Sequence, residues 1–408
     1  MSAKNRLLEY LAEIGADPIK IASAPSRVDF LNTHQDYKGL PVVAIAVNKR
    51  LYVAAVEKTG RRFIVESLDL EGRPSKVFDV TDFVPRGRDF DDYIRACIYS
   101  LVMMTNVAVN EGYRIVISSD IPIGGGMGSS GALEVAFLRL LVELLGIKIP
   151  TMVLAETAFR AENRIMGIPC GRLDQYAAAY GGVMYLKPTW PPNVDTLNSP
   201  PFHMIVVDSG IKHRTANVHP QRQKELNEGI QRLLELDLPS ELREKIGDDF
   251  ETTMWDRISE EEISPYLESI GETPAKRILF TIRMNDLTKI AVKILKGSPL
   301  EKSDLIRLRE LGITDEQPRR ILCGIINKQH ELLRDLYDVS LPKIERIIEA
   351  AFEAGACCAK ISGAGLGGSI IVFTDSKGNI NKIIHEVLSE GAGNAWYVRP
   401  DVGAKMEG

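Results

Sequence analysis

Residues 121 to 136 read Ile-Pro-Ile-Gly-Gly-Gly-Met-Gly-Ser-Ser-Gly-Ala-Leu-Glu-Val-Ala, a glycine-rich loop running straight into an apolar-periodic segment. Glycine lets backbone pass close to a bulky ligand and adopts φ values that other residues resist. Leu133, Val135, Ala136, Leu138, Leu140 and Leu141 then mark a helix. The free N–H groups at a helix start, with the positive end of its dipole, favour an anion. A phosphate cradle is the physical reading: Gly124, Gly125, Gly126, Met127, Gly128, Ser129, Ser130 and Gly131 are its candidate residues. No Gly-Lys-Ser/Thr closes the loop, so it is not a Walker A loop. A tight turn packed on a strand is the competing reading, and the serine pair at the helix entrance disfavours it.

A chain of 408 residues has room for more than one core, and two domains are expected. Breaker-rich Lys187-Pro-Thr-Trp-Pro-Pro192 is the expected junction, dividing residues 1–190 from 191–408. A net charge of −5 gives no reason to expect nucleic acid as a partner. No apolar run reaches membrane-spanning length and no secretory core opens the chain, so a cytoplasmic protein is expected. Cys97, Cys170, Cys323, Cys357 and Cys358 form no CxxC pair and read as reduced thiols, the Cys357–Cys358 pair as core packing. The histidines lack metal-ligand spacing, so no structural zinc is expected.

Strand patterns at 20–24, 42–57, 113–118, 183–186 and 204–208 alternate with helical ones at 93–107 and 151–165. A long, mostly helical stretch fills 221–349, and strands at 360–361 and 369–373 flank a second glycine loop, Ser362-Gly-Ala-Gly-Leu-Gly-Gly368. The mixture indicates α+β. Between the first two strands, a polar loop over 27–39 gathers Arg27, Asp29, Thr33, His34 and Asp36. A guanidinium, an imidazole and carboxylates so close together suit a polyhydroxylated ligand, and equally an Arg–Asp pair capping a turn. Asp174, in Cys170-Gly-Arg-Leu-Asp-Gln175, is a candidate base or metal ligand, although a lone aspartate there also suits a helix cap.

In combination these segments resemble the GHMP kinase superfamily and, within it, the galactokinase family. Arg27-Val-Asp-Phe-Leu-Asn-Thr-His-Gln-Asp-Tyr37 is similar to the family signature Gly-Arg-Val-Asn-Leu-Ile-Gly-Glu-His-Thr-Asp-Tyr. Pro122 to Ala136 is similar to its phosphate loop, and Lys360 to Gly368 to its Thr-Gly-Gly-Gly-Phe-Gly-Gly loop. Ala161 to Gln175 and Tyr337-Asp-Val-Ser-Leu-Pro342 are further galactokinase-like segments. The resemblance implies an S5-like N-terminal domain, a ferredoxin-like C-terminal domain and an active site between them. It also implies an ATP- and Mg²⁺-dependent kinase acting on the C1 hydroxyl of a monosaccharide, as a monomer or homodimer.

Carried over position by position, Asp174 partners the C1 hydroxyl, with Arg27 beside it. Ser130 and Glu162 take Mg²⁺, two hard oxygen donors suited to that ion. Thr33, His34, Asp36, His219, Gly363 and Gly365 surround the substrate. The superfamily generally has alanine where this chain has Gly131, a change expected to leave the cradle usable. Thr33 stands where the family has a glutamate facing the C6 hydroxyl. Pro220, next to His219, stands where it has a tyrosine facing C4. Galactose is therefore a first guess, with arabinose or a uronic acid as alternatives. A non-catalytic sensor of sugar and ATP is a further alternative, disfavoured by the full-length phosphate loop.

Overall fold

The computed structural model describes residues 1–122, 125–211 and 215–408. Two sheets organise it. The first holds β1 (Lys20–Leu31), β2 (Val42–Gly60), β3 (Arg62–Ser67), β4 (Ser75–Asp79), β5 (Gly112–Ser119), β6 (Val183–Lys187) and β7 (Asn193–Leu197). Its long β2 serves two neighbours besides β1: Leu51–Gly60 pair with β5, and Val42–Ile45 pair with β6. The second sheet contains β8 (His203–Asp208), β9 (Cys358–Ser362), β10 (Ser369–Thr374) and β11 (Asn394–Val398), all antiparallel, in the order β11-β8-β10-β9. That is the 4-1-3-2 order of a ferredoxin-like unit.

Helices α1 (Ala3–Glu13), α2 (Phe90–Thr105), α3 (Ser129–Leu144), α4 (Thr151–Arg160) and α5 (Leu173–Tyr180) accompany the first sheet. In the second half follow α6 (Thr215–Leu234), α7 (Ser240–Lys245), α8 (Glu260–Leu267), α9 (Glu272–Leu295), α10 (Lys302–Glu310), α11 (Pro318–Asp335), α12 (Pro342–Glu353) and α13 (Ile380–Ser389). All but α13 lie between β8 and β9. Proline opens both α11 and α12, where its missing N–H has no intrahelical partner to lose.

Helix α3 is apolar nearly all round, and Ala132, Val135, Ala136, Leu138, Leu140 and Leu141 are completely buried. A helix of that kind belongs inside a core. It lies against β1 and β2 with α2, α4 and α5 around it, so the glycine loop leads into a helix fixed by the core. A separate apolar cluster around Leu226, Ile230, Trp255 and Ile278 supports the helices between the sheets.

Two segments past residue 190 belong to the first sheet. β7 pairs with β6, so the breaker-rich run 187–192 includes a hairpin turn. The chain end returns as β12 (Lys405–Glu407) to pair with β1. Buried Arg50 fastens that return: it donates to Ser23 Oγ (2.9 Å), Asp401 Oδ2 (2.8 Å), and the carbonyls of Val402 (2.9 Å) and Gly403 (3.0 Å). The polar loop expected at 27–39 also begins later than expected. β1 continues to Leu31: the Arg27 side chain pairs with Asp174 inside the protein, and the Asp29 N–H donates to Ser362 Oγ at 2.9 Å.

Candidate active site

A cavity of about 360 Å³ opens where β1, the start of α3, the start of α5 and the second glycine loop converge. Arg27 and Asp174 meet across it. The guanidinium donates from Nε to Asp174 Oδ1 (2.8 Å) and from Nη2 to Oδ2 (2.9 Å), while Nη1 reaches the Gly126 carbonyl. This bidentate fork fixes the carboxylate in direction as well as position. Arg27 sits on a buried strand and Asp174 in the first turn of α5, so both supports are rigid.

The glycine loop wraps this pair. Gly126 and Gly128 take left-handed φ values of 69°, where a side chain is strained. A Cβ on Gly128 would lie 3.2 Å from both Arg27 Cγ and Asp174 Oδ2. At Gly131 a Cβ would come within 2.9 Å of Asp174 Cβ and 3.1 Å of its backbone carbon. That glycine therefore sets how closely α5 approaches α3, a larger role than the tolerated change expected. The second glycine loop closes over the first: Ser369 donates to the Gly125 carbonyl, and a Cβ on Gly363 would lie 3.1 Å from the Gly126 carbonyl oxygen.

Behind Asp174 lies a knot of acids. Gln175 Nε2 donates to Glu162 Oε2 (2.6 Å) and to Glu134 Oε2 (3.0 Å), both carboxylates being buried. Burial first, then the charge of Asp174, pushes the Glu162 carboxyl up to about 7, against hydrogen bonds from Ser130 and Gln175. Burial and the neighbouring Glu162 push Glu134 well above the usual carboxylate range. Among the described residues, Glu134 Oε1 has no hydrogen-bond partner. Crowded, partly orphaned oxygen donors beside a serine hydroxyl fit a hard divalent cation such as Mg²⁺.

The other end of the cavity is polar and enclosed. Asp36 accepts the Leu173 N–H at 3.3 Å, and burial, then Asp29, pushes its carboxyl up to about 6. Gly171 makes room for it: a Cβ there would fall 1.5 Å from Asp36 Oδ2. His34 holds a left-handed φ of 66° and pairs through Nε2 with the Ala364 carbonyl at 3.2 Å. Burial, then neighbouring His219, lowers its pKa well below the usual histidine value, so the ring is neutral at pH 7. Its centroid lies 5.0 Å from that of His219 and 4.9 Å from that of Tyr337. Thr33 Oγ1 accepts from the buried Lys360 ammonium at 2.9 Å, which also donates to the carbonyls of Asp29 (2.9 Å) and Ile361 (2.8 Å).

The structure thus gathers Arg27, Thr33, His34, Asp36, Glu162 and Asp174 around one cavity, with Gly126 to Ser130, His219 and Gly363 along its wall. Gly125 and Gly131 stand behind the wall, and Gly365 packs against Val339, where a Cβ would come within 2.6 Å. Gly124 lies outside the described residues, as do Lys212 to Arg214 of the segment leading to His219. Sequence reasoning missed Arg88, Tyr93 and Cys170 in the lining. It also missed Lys360 and Glu134, whose burial no local pattern reveals. A larger, more open groove of about 590 Å³ along α6, near Gln223, Asn227 and Phe250, has no comparable convergence of buried charge.

Comparison with known proteins agrees with this geometry. Residues 92–182 match the GHMP kinases N terminal domain, 315–393 the GHMP kinases C terminal domain, and 9–56 the galactokinase galactose-binding signature. A galactokinase of Thermotoga maritima is 26% identical over 379 residues, covering 90% of this chain and 92% of the relative. One of Pyrococcus furiosus is 25% identical over 402 residues, covering 93% and 97%. Among solved structures, Lactococcus lactis galactokinase complexed with galactose superposes with a TM-score of 0.79 at 21% identity, covering 99% of this chain and 100% of that one. Methanococcus jannaschii mevalonate kinase gives 0.65 at 17% identity, covering 94% and 99%. With both of its domains matched and the galactokinase signature ahead of them, the chain belongs to the GHMP kinases.

Proposed function

We propose that this protein is an ATP-dependent sugar kinase that phosphorylates the anomeric C1 hydroxyl of a monosaccharide, with galactose the first substrate to test. The observation that carries the reading is the Arg27–Asp174 fork, set between the glycine loop and the enclosed polar end of the cavity. The galactokinase relatives and the galactokinase-like fold support it.

In this reading the sugar lies against Asp36, His34 and Thr33, with its C1 hydroxyl at Asp174. The hydroxyl oxygen attacks the γ-phosphorus of ATP; one O–P bond forms, the bond to the β-phosphate oxygen breaks, and ADP leaves. The hydroxyl proton passes to the Asp174 carboxylate. Arg27 holds that carboxylate in place and offers positive charge to the phosphoryl group in flight. The N–H groups of the loop through Gly128 and the start of α3 face the phosphates. Ser130 and Glu162, with Glu134 behind them, would hold Mg²⁺. Bound there, the ion supplies charge neutralisation for the phosphates.

A second reading of the substrate rests on Thr33. With the Lys360 ammonium beside it and no carboxylate of its own, this position suits a sugar lacking the usual C6 hydroxymethyl group, such as arabinose or a uronic acid. The test is ³¹P NMR of reactions containing ATP, Mg²⁺ and one sugar each from galactose, arabinose, galacturonate and glucuronate. A new anomeric phosphate signal identifies the substrate. Accumulation of inorganic phosphate alone with every sugar contradicts the proposal.

A further inference from the structure

Away from the cavity, three cysteines that are scattered in sequence come together. Cys323 lies on α11, Cys357 directly precedes β9, and Cys358 is its first residue. Their sulfurs all lie within 4.8 Å of one another, and those of Cys357 and Cys358 are 4.0 Å apart. Three sulfurs sharing one ion at metal–sulfur bonds of ~2.3 Å in a trigonal plane would be about 4.0 Å apart. The Cys357–Cys358 spacing matches that of a ligand set, and the Cys323 sulfur lies within 4.8 Å of both.

The backbone around the cluster is fixed. Asn327, one turn beyond Cys323 on α11, donates to the Cys357 carbonyl (3.3 Å) and accepts from the Ala359 N–H (3.0 Å). One side chain therefore ties α11 to the chain on both sides of Cys358. The Cys357 N–H is held in turn by the Phe373 carbonyl at 2.8 Å. Cys358 is buried, and Cys323 and Cys357 are partly buried against the apolar core. The Cys357 thiol also lies 3.3 Å from the Phe373 carbonyl, to which it donates.

We propose that Cys323, Cys357 and Cys358 form a trigonal thiolate site for a soft, thiophilic cation of the Cu(I) class, independent of the sugar site. Three sulfurs without an imidazole select such an ion over Mg²⁺ or Ca²⁺. Binding exchanges the thiol protons for the ion and releases them to solvent. The site stands at the far end of β9 from Ser362, which accepts the Asp29 N–H beside the sugar cavity.

The test is anaerobic titration of the full-length protein with Cu(I) in competition with bicinchoninate. Cys323→Ser and Cys357→Ser are the test variants, chosen because neither residue is fully buried, and Cys170→Ser is the control. One equivalent of Cu(I) should be retained by the native chain and by Cys170→Ser. In Cys323→Ser and Cys357→Ser the affinity should fall by at least the roughly 10–100-fold that even outer ligands contribute, with circular dichroism unchanged. X-ray absorption of the loaded protein should show a shell of three sulfurs. Failure of the native chain to hold Cu(I) against the chelator overturns the proposal. So does equal retention by Cys323→Ser and Cys357→Ser, or a first shell with fewer than three sulfurs.

Discussion

Replacing Gly131 by alanine tests whether the distance between α3 and α5 sets the catalytic geometry. The added Cβ would stand 2.9 Å from Asp174 Cβ, 3.1 Å from its backbone carbon and 3.2 Å from the Gln175 nitrogen. Comfortable carbon contacts lie at about 3.5–4.0 Å, so the first turn of α5 must retreat by roughly 0.6–1 Å. Overpacking of this kind costs about 1–3 kcal/mol. Alanine returns up to ~1 kcal/mol through its better helix propensity. Net stability should therefore change by only about 0–2 kcal/mol. Activity should change far more. The retreat draws the Asp174 carboxylate away from Arg27, whose two bonds of 2.8 and 2.9 Å hold it. A misplacement of about 1 Å costs on the order of 100-fold in rate. We expect kcat for ADP release to fall about 10- to 100-fold while the urea midpoint moves little. A kcat within about twofold of the native value, in a protein that still folds, would refute the reasoning.

Three further outcomes follow from the same structure. Glu162→Gln should raise the Mg²⁺ concentration needed for half-maximal activity by roughly 10- to 100-fold, measured by ADP release across a Mg²⁺ series; an unchanged requirement would remove Glu162 from the ion's site. Lys360→Met strips hydrogen bonds from Thr33 and from the Asp29 and Ile361 carbonyls in a fully buried position, so urea unfolding should show a loss of about 2–4 kcal/mol. At the chain end burial pushes the Glu407 carboxyl upward, but hydrogen bonds from Lys4 and Ser23 outweigh it and hold the pKa at about 2. A carboxyl depressed on folding contributes stability that is present above its ordinary value of 4.5 and is lost as pH falls towards 2. Glu407→Gln should flatten the decline in urea midpoint below pH 4.5, and an unaltered profile would contradict the assignment.

The two glycine loops and the order of strands and helices were legible because each leaves a local mark, whereas the pairing of Arg27 with Asp174 was expected only from the resemblance to the galactokinase family. Glycine runs signal close approach, and period and breaker residues delimit the elements. The extent of β1 was not legible. Arg27 looks like a loop residue until its partner Asp174 arrives, and the N–H of Asp29 is held by Ser362, both more than a hundred residues away. The return of β12 to the first sheet depends on Arg50 reaching the carbonyls of Val402 and Gly403, a contact without sequence spacing. Glu134 and Lys360 escaped notice for the same reason. Each sits in an apolar run, and its charge acquires meaning only when Gln175 or Thr33 is placed against it. The part played by Gly131 also emerges only in three dimensions, since the residue it accommodates lies on another helix.

The central claim is that Asp174 acts on a sugar hydroxyl while ATP is bound at the glycine loop. Its most direct test pairs ADP release with calorimetric binding in the native protein and in Asp174→Asn, using the sugar identified by ³¹P NMR. The account predicts rapid ADP release by the native protein, and little by Asp174→Asn, although the variant still binds ATP and sugar. Equal turnover by both proteins would contradict the role of Asp174. Binding of both ligands by the native protein without ADP release would make it a sensor rather than a kinase.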